Sequence, residues 1–456
     1  MMNIYNPSNE QLLKSVEEDS SQTILDKLNK LRHGQLLWSQ KTVAERLNCI
    51  VKFGALVQSN IDNLAKVLTS ETGKPIQQSY NEIRGANNRI EHLKQNAEKW
   101  LADNVIEGLE GTYEKIIHEP LGVVANISAW NFPYNVGYNV FLYALVAGNS
   151  VAYKPSEFAT LTGLAFADLL YEAGVPENVF QCIVGDGSTG QAMLEVAFDG
   201  YFFTGSYPTG LHILKEVAPK MVPVQLELGG KDPLYVMDDV KDVKVAAVNA
   251  AEGAFYNNGQ SCCAVERIYV HENIYNDFIK FFLEEVEGYV IGDPESENTF
   301  IGPLTRKGQL NLLRNQVDDA ISKGAKLLLG GDELAGKGNF FAPTILIEVN
   351  HEMLVMKEES FGPIIGIQKV KNDEEAIELM KDTEYGLTSA VFSTDQARAE
   401  QVLKIMNTGT VYWNCCDRVS PNVPWSGRNK SGVGTTLSSQ GIRAFTQPKA
   451  YHWREV

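Results

Sequence analysis

Five short runs decide the fold: residues 122–130 (GVVANISAW), 150–155 (SVAYKP), 179–185 (VFQCIVG), 200–206 (GYFFTGS) and 223–229 (PVQLELG). Each is rich in β-branched and aromatic residues, and all but the first close on Gly, Pro or Ser. The segments between them carry helical periodicity. Strands alternating with helices are the signature of βαβ units, in which a parallel sheet is covered on both faces. A second alternating region runs from Pro233 to about Lys430. Its strand-like runs are RIYVHE (267–272), AKLLLGG (325–331), IIGIQKV (364–370), SAVFST (389–394) and GTVYWN (409–414), with helical stretches at 273–288 and 307–324. The fold class is therefore α/β, with two open parallel-sheet domains joined near Glu227-Leu-Gly-Gly-Lys231. Residues 1–101 and 121–228 form the first domain and 229–430 the second; the cleft between them is a natural ligand site.

From Gln11 to about Trp100 the pattern is helical, and Gly73 ends one of these helices. Residues 102–120, together with the tail 431–456, fit neither domain. The stretch Leu101–Pro120 reads as a hairpin around Gly108–Gly111 with little core of its own, an arm suited to pairing with a second subunit.

The chain has 456 residues, with 40 Lys+Arg against 57 Asp+Glu for a net charge of −17. That balance argues against a nucleic-acid partner, because phosphate binding draws on Lys and Arg. The most apolar stretch, Val136–Tyr153, is interrupted by Asn139, Gly148 and Asn149 and is too short to cross a membrane. The first residues lack the basic start and apolar core of a secretory signal. Six cysteines at 49, 182, 262, 263, 415 and 416 include two adjacent pairs and no CxxC, and the seven histidines have no metal-ligand spacing. Reduced thiols, no metal and a cytoplasmic location are the expectation.

The segment Gly185-Asp-Gly-Ser-Thr-Gly190 matches GxGxxG after a strand and before a helix, but glycines there serve turn geometry with or without a ligand. Phe203-Thr-Gly-Ser206 is a better anion site, since Gly205 permits a tight turn and Ser206 opens a helix. Tyr153-Lys-Pro-Ser-Glu157 offers a cation and a carboxylate to ribose hydroxyls. Three further segments supply reaction chemistry: Asn257-Asn-Gly-Gln-Ser-Cys262, Leu226-Glu-Leu-Gly-Gly-Lys231 and Trp130-Asn-Phe-Pro133. A nucleophilic thiol, a donor for an oxyanion and a base for water are the roles that Cys262, Asn131 and Glu227 match by residue type.

In the order WNFP, KPSE, FTGS, LELGGK, GQSC and Glu359-Ser-Phe-Gly-Pro363, the chain resembles the NAD(P)-dependent, non-phosphorylating aldehyde dehydrogenase superfamily over nearly its whole length. The resemblance implies a Rossmann-like cofactor domain, a catalytic domain and an oligomerisation arm. It further implies that Cys262 attacks an aldehyde, that Asn131 and the Cys262 N–H hold the oxyanion, and that Glu227 activates water. The cofactor set it implies is Trp130, Lys154, Glu157, Gly187, Gly205, Ser206, Gly210, Glu359 and Phe361. In the same resemblance Lys154 and Glu157 bind the adenosine ribose, Ser206 the pyrophosphate and Glu359 the nicotinamide ribose, and the GDGSTG loop lies beside the adenine. Glu157 favours NAD, with NADP as the alternative, because a carboxylate near the 2′ position disfavours a phosphate. A homodimer or homotetramer acting on a small aldehyde follows from the same likeness.

Cys263, pointing away from its neighbour, is assigned no essential role, and Cys415 and Cys416 are expected to pack in the core. Two departures from the common pattern bear on substrate: the polar run Tyr134–Asn139, and Trp425-Ser-Gly-Arg-Asn-Lys-Ser-Gly-Val-Gly434 where relatives carry FGG-x-K. Arg418 is either an anchor for a substrate carboxylate or a surface residue. The competing functions are a CoA-acylating dehydrogenase, a thiol hydrolase or acyltransferase without nicotinamide, and a catalytically silent relative.

Overall fold

The computed structural model describes residues 1–106 and 111–454. Two sheets organise it. The first has six strands in the order Gly432–Val433, Val224–Glu227, Gly200–Thr204, Val123–Ile127, Ser150–Lys154, Phe180–Cys182. All neighbours run parallel except the Gly432–Val433 pairing. The second has seven strands in the order Lys326–Leu329, Thr344–Ile347, Ile364–Val370, Val265–His271, Asp232–Val236, Thr388–Phe392, Thr410–Trp413. Only Lys326–Leu329 is antiparallel to its neighbour.

Strand Val123–Ile127 lies beside both Ser150–Lys154 and Gly200–Thr204, so successive connections leave it in opposite directions. That reversal opens a crevice at the carboxyl ends of the strands, where α/β proteins bind ligands. The helix Pro133–Ala147 is buried at almost every position, which explains an apolar run close to membrane-like in composition. Among the described residues, no helix is long and apolar enough to cross a membrane. Strand Val224–Glu227 ends at Glu227 and Asp232–Val236 begins five residues later. This short bridge brings the carboxyl edge of the first sheet against the loops that enter strands Val265–His271 and Ile364–Val370 of the second.

Four helices, Ser21–Ser39, Val43–Ser59, Ile61–Thr72 and Ile76–Leu101, fill most of the N-terminal region. Gly73 ends the third in the left-handed conformation, φ 78°, as its sequence position suggests. The helical reading from Gln11 is corrected at its start: Met2–Tyr5 and Leu12–Val16 form an antiparallel hairpin, and helix begins only at Ser21. Ile4 and Val16 are buried there, so docking overrides the weak local preference of a five-residue run. Strand Asn104–Ile106 pairs with Thr112–Pro120 as the hairpin reading requires, while its tip at 107–110 lies outside the described residues. The tail divides. Gly432–Val433 joins the first sheet, helix Ser438–Arg443 packs on helices Ile76–Leu101 and Pro133–Ala147, and Thr446–Arg454 pairs with Thr112–Pro120 over nine positions.

Candidate active site

The loop before strand Val265–His271 presents Cys262. Asn257, Asn258 and Gly259 all have positive φ (53°, 58° and 67°), a conformation Asn and Gly enter most readily. The strained turn is locked by side chains. Asn257 Nδ2 donates to the carbonyls of Asn131 (3.2 Å) and Gln260 (3.1 Å), and Asn258 Nδ2 donates to those of Gly302 (2.8 Å) and Pro303 (3.0 Å). Gln260 Oε1 accepts from the Thr305 N–H at 3.0 Å. The polar letters of NNGQ are thus consumed in holding the cysteine loop, and Asn257 ties it directly to Asn131. The Asn131 side chain is buried, and among the described residues its amide oxygen has no partner.

Cys262 is half-buried and meets two titratable neighbours. A hydrogen bond with the Cys263 thiol, burial and the Glu227 charge push the Cys262 thiol well above the usual range, so it rests protonated. Glu227, at the end of its strand, is buried beside the Cys262 thiol and accepts a hydrogen bond at 3.1 Å from Trp425 Nε1. Burial dominates and raises its carboxyl to about 7, so it exchanges protons near neutrality. Cys263 is buried and turned toward Asp417, whose Oδ1 accepts from Cys263 Sγ and Ser261 Oγ, each at 3.1 Å.

The residues suggested for a dinucleotide gather at the carboxyl ends of the first sheet: Trp130 follows strand Val123–Ile127, Lys154 ends its strand, and Gly205 and Ser206 follow Gly200–Thr204. Two helix starts differ in a way that matters. Asp186 caps the helix Gly187–Glu195, its Oδ1 accepting the Ser188 N–H at 2.8 Å, so the GDGSTG loop spends its donors on its own carboxylate. The helix Tyr207–Val217 has no side-chain cap, because Ser206 Oγ faces Thr209 Oγ1 at 3.0 Å. Its first-turn N–H groups stay open to an anion. A Cβ on Gly210 would lie 2.6 Å from Leu228, so this glycine allows close helix–strand packing, whereas one on Gly187 would meet nothing.

Lys154 is buried, with burial pushing it down against the pull of Glu157 and Asp186. Glu157 and Asp186 line a cavity of roughly 420 Å³ with Phe158 and the N-terminal hairpin. Trp130 stands edge-on to Phe361 (5.5 Å) and Phe158 (6.4 Å). Glu359 Oε1 accepts the Gly230 N–H at 3.1 Å, and a Cβ on Gly229 would fall 2.0 Å from that oxygen. Burial, then the nearby Glu266, lifts the Glu359 carboxyl to about 8.

Several supporting residues carried no signal in the sequence. Lys231 Nζ contacts Glu266 Oε2 at 2.6 Å and Ser360 Oγ at 3.0 Å, and Glu266 also accepts the N–H groups of Ser360 and Phe361. This buried pair fixes the loop that carries Glu359 and Phe361. A second buried pair, Lys74 with Glu82, braces Asn131 from the other side: Lys74 Nζ sits 3.8 Å from the Phe132 ring centroid and Glu82 accepts the Tyr134 N–H at 2.8 Å. Another cavity of roughly 420 Å³ is lined by Phe132, Asn135, Glu252, Tyr256 and the run Asn414–Arg418. Cys415 and Cys416 are half-buried in that wall, so the expectation of plain core packing is corrected; they line a cavity as well as touching the core. Arg418 is exposed and lines the same space. Among the described residues, no cluster of His, Cys, Asp and Glu could hold a metal ion.

The aldehyde dehydrogenase family model matches residues 1–451. The chain belongs to the aldehyde dehydrogenase family. It is accordingly an NAD(P)-dependent aldehyde oxidoreductase of the α/β fold expected from its strands. It is 34% identical over 462 residues to a chloroplastic betaine aldehyde dehydrogenase of Beta vulgaris, covering 98% of this chain and 91% of that one. Among solved structures it matches a Staphylococcus aureus betaine aldehyde dehydrogenase in complex with NAD+ at TM-score 0.95 and 30% identity, over 99% of this chain and 91% of that one. It also matches an NADP-dependent enzyme of E. coli at TM-score 0.97 and 30% identity, over 100% and 95% of the two chains.

Proposed function

We propose that this aldehyde dehydrogenase oxidises a small aldehyde to the carboxylic acid through a thioester on Cys262 that Glu227 hydrolyses. The observation that carries the reading is a half-buried thiol placed beside the buried Glu227 carboxyl, next to Asn131. When Sγ bonds the carbonyl carbon, the thiol proton passes to Glu227 and the π pair moves onto oxygen, where the Asn131 amide and the Cys262 N–H stabilise it. Bound NAD(P)+ supplies the acceptor for the hydride that leaves this carbon. Glu227, deprotonated again, takes a proton from water as the oxygen attacks the thioester, and the C–S bond breaks to release acid. The carboxylate favours water over CoA as the acyl acceptor.

The dinucleotide fits what the chain offers: an uncapped helix start at Ser206, Lys154 and Glu157 for the adenosine ribose, Trp130 and Phe361 as aromatic walls, and Glu359 with one oxygen left for a ribose hydroxyl. The carboxylates Glu157 and Asp186 near the adenosine end support NAD+ over NADP+. The division into a cofactor unit, a catalytic unit and an arm is part of the same reading. The arm exposes Val105, Ile106, Tyr113 and Trp453, which supports closure by a second copy in a homodimer or homotetramer. Six free thiols support a reducing, cytoplasmic setting.

A panel of neutral, cationic and carboxylate-bearing aldehydes, followed by absorbance of reduced cofactor with NAD+ and with NADP+, tests this function. Faster turnover with NAD+, independent of added CoA and yielding free acid, is expected. No reduced cofactor with any aldehyde, or a strict need for CoA, contradicts it. Asn131→Ala should lower kcat by about 10²–10³-fold with little change in the KM for NAD+, as loss of one oxyanion donor does. An unchanged kcat would remove Asn131 from that role.

A further inference from the structure

We infer that Trp425 is the positioning residue for Glu227, its indole N–H holding carboxylate Oε1 in place beside the Cys262 thiol. The inference rests on the proposed role of Glu227 as the base and assigns a residue that acts through it. Trp425 Nε1 donates to Glu227 Oε1 at 3.1 Å in a buried setting. The indole is itself fixed: its backbone exchanges hydrogen bonds with Thr436, at 2.8 Å and 2.9 Å. The intervening strand Gly432–Val433 pairs with Leu226 and Glu227, Gly432 standing opposite Glu227. The donor is therefore tied, through its bridge to Thr436, to the segment whose Gly432 pairs with the acceptor's own strand.

Burial drives the Glu227 carboxyl up; among the described residues the Trp425 indole first and the Cys262 thiol second oppose it. Thr204, Asn139 and Thr436, which line a small void with Glu227, carry no charge. Removing the indole N–H leaves Oε1 without its partner and the charged form less favourable. A hydrogen bond to a charged group of the usual strength corresponds to a rise of about one to two pH units.

The test compares Trp425→Phe, Glu227→Gln and the unsubstituted enzyme. In Trp425→Phe, the first-turnover burst of reduced cofactor should keep its amplitude, and the acid limb of the kcat profile should move up by about one to two pH units. Turnover at pH 7 would fall about 5–50-fold and recover above pH 9. An unmoved profile in Trp425→Phe, with Glu227→Gln slowed, overturns the role of Trp425 and leaves the base assignment standing. Normal turnover in Glu227→Gln overturns the base assignment itself. A second measurement needs no substitution at position 425. Of the six indole N–H resonances in the unsubstituted protein, one should shift with a midpoint at about 7 and lose that shift in Glu227→Gln. No indole responding in this way also overturns the inference.

Discussion

Cys262→Ala should abolish aldehyde oxidation, lowering turnover by about 10⁴-fold or more, while NAD+ binding measured by fluorescence titration stays intact. Cys263→Ala should retain most of the activity. The two thiols are adjacent in sequence and opposite in setting. Cys262 faces Glu227, whereas Cys263 donates to Asp417 and sits against Ser261. Removing Cys263 also removes the hydrogen bond that contributes most to holding the Cys262 thiol protonated. The pH at which the enzyme loses a cysteine alkylation-sensitive proton should therefore fall in Cys263→Ala. An inactive Cys263→Ala beside an active Cys262→Ala would reverse the assignment of the nucleophile.

Glu227→Gln should separate the two halves of the reaction. The amide cannot take a proton from water, so steady-state turnover should drop by about 10²–10⁴-fold. Mixed rapidly with aldehyde and NAD+, the variant should still release a burst of reduced cofactor stoichiometric with the chain, though more slowly, because the thiol proton has lost its acceptor. The pH dependence has a definite sign. Glu227 acts as a base only when ionised, and burial places its carboxyl at about 7. Turnover of the unsubstituted enzyme should rise as pH passes upward through that value, and the limb should vanish in Glu227→Gln. A missing burst from a folded variant would mean that Glu227 is needed before the thioester forms.

The sequence exposes those parts of the site that are written in adjacent residues. Lys154, Ser206 and Glu227 each close a short apolar run, so the alternation that reveals the strands also places these residues at strand ends. Asn257, Asn258 and Gly259 are a turn in letters and in fact. Even the misleading GDGSTG loop is explained locally, by an Asp that caps its own helix. What escapes is the set of partners joined across long separations. Trp425 meets Glu227 198 positions away and Ser261 meets Asp417 across 156 positions. Neither contact leaves a trace in spacing or periodicity. Lys231 appears in the sequence only as the end of LELGGK; its burial against Glu266 is a product of two strands pairing side by side. The N-terminal hairpin escapes for a different reason, since Leu12–Val16 becomes a strand only by docking Ile4 and Val16 into a core built by later helices.

Acid quenching of Glu227→Gln within its burst, followed by peptide mass analysis, locates the acyl group directly. The account predicts a single adduct, on Cys262, rising in step with reduced cofactor and absent when NAD+ is omitted. An adduct on Cys263, Cys415 or Cys416, or a burst with no acylated peptide, would contradict it.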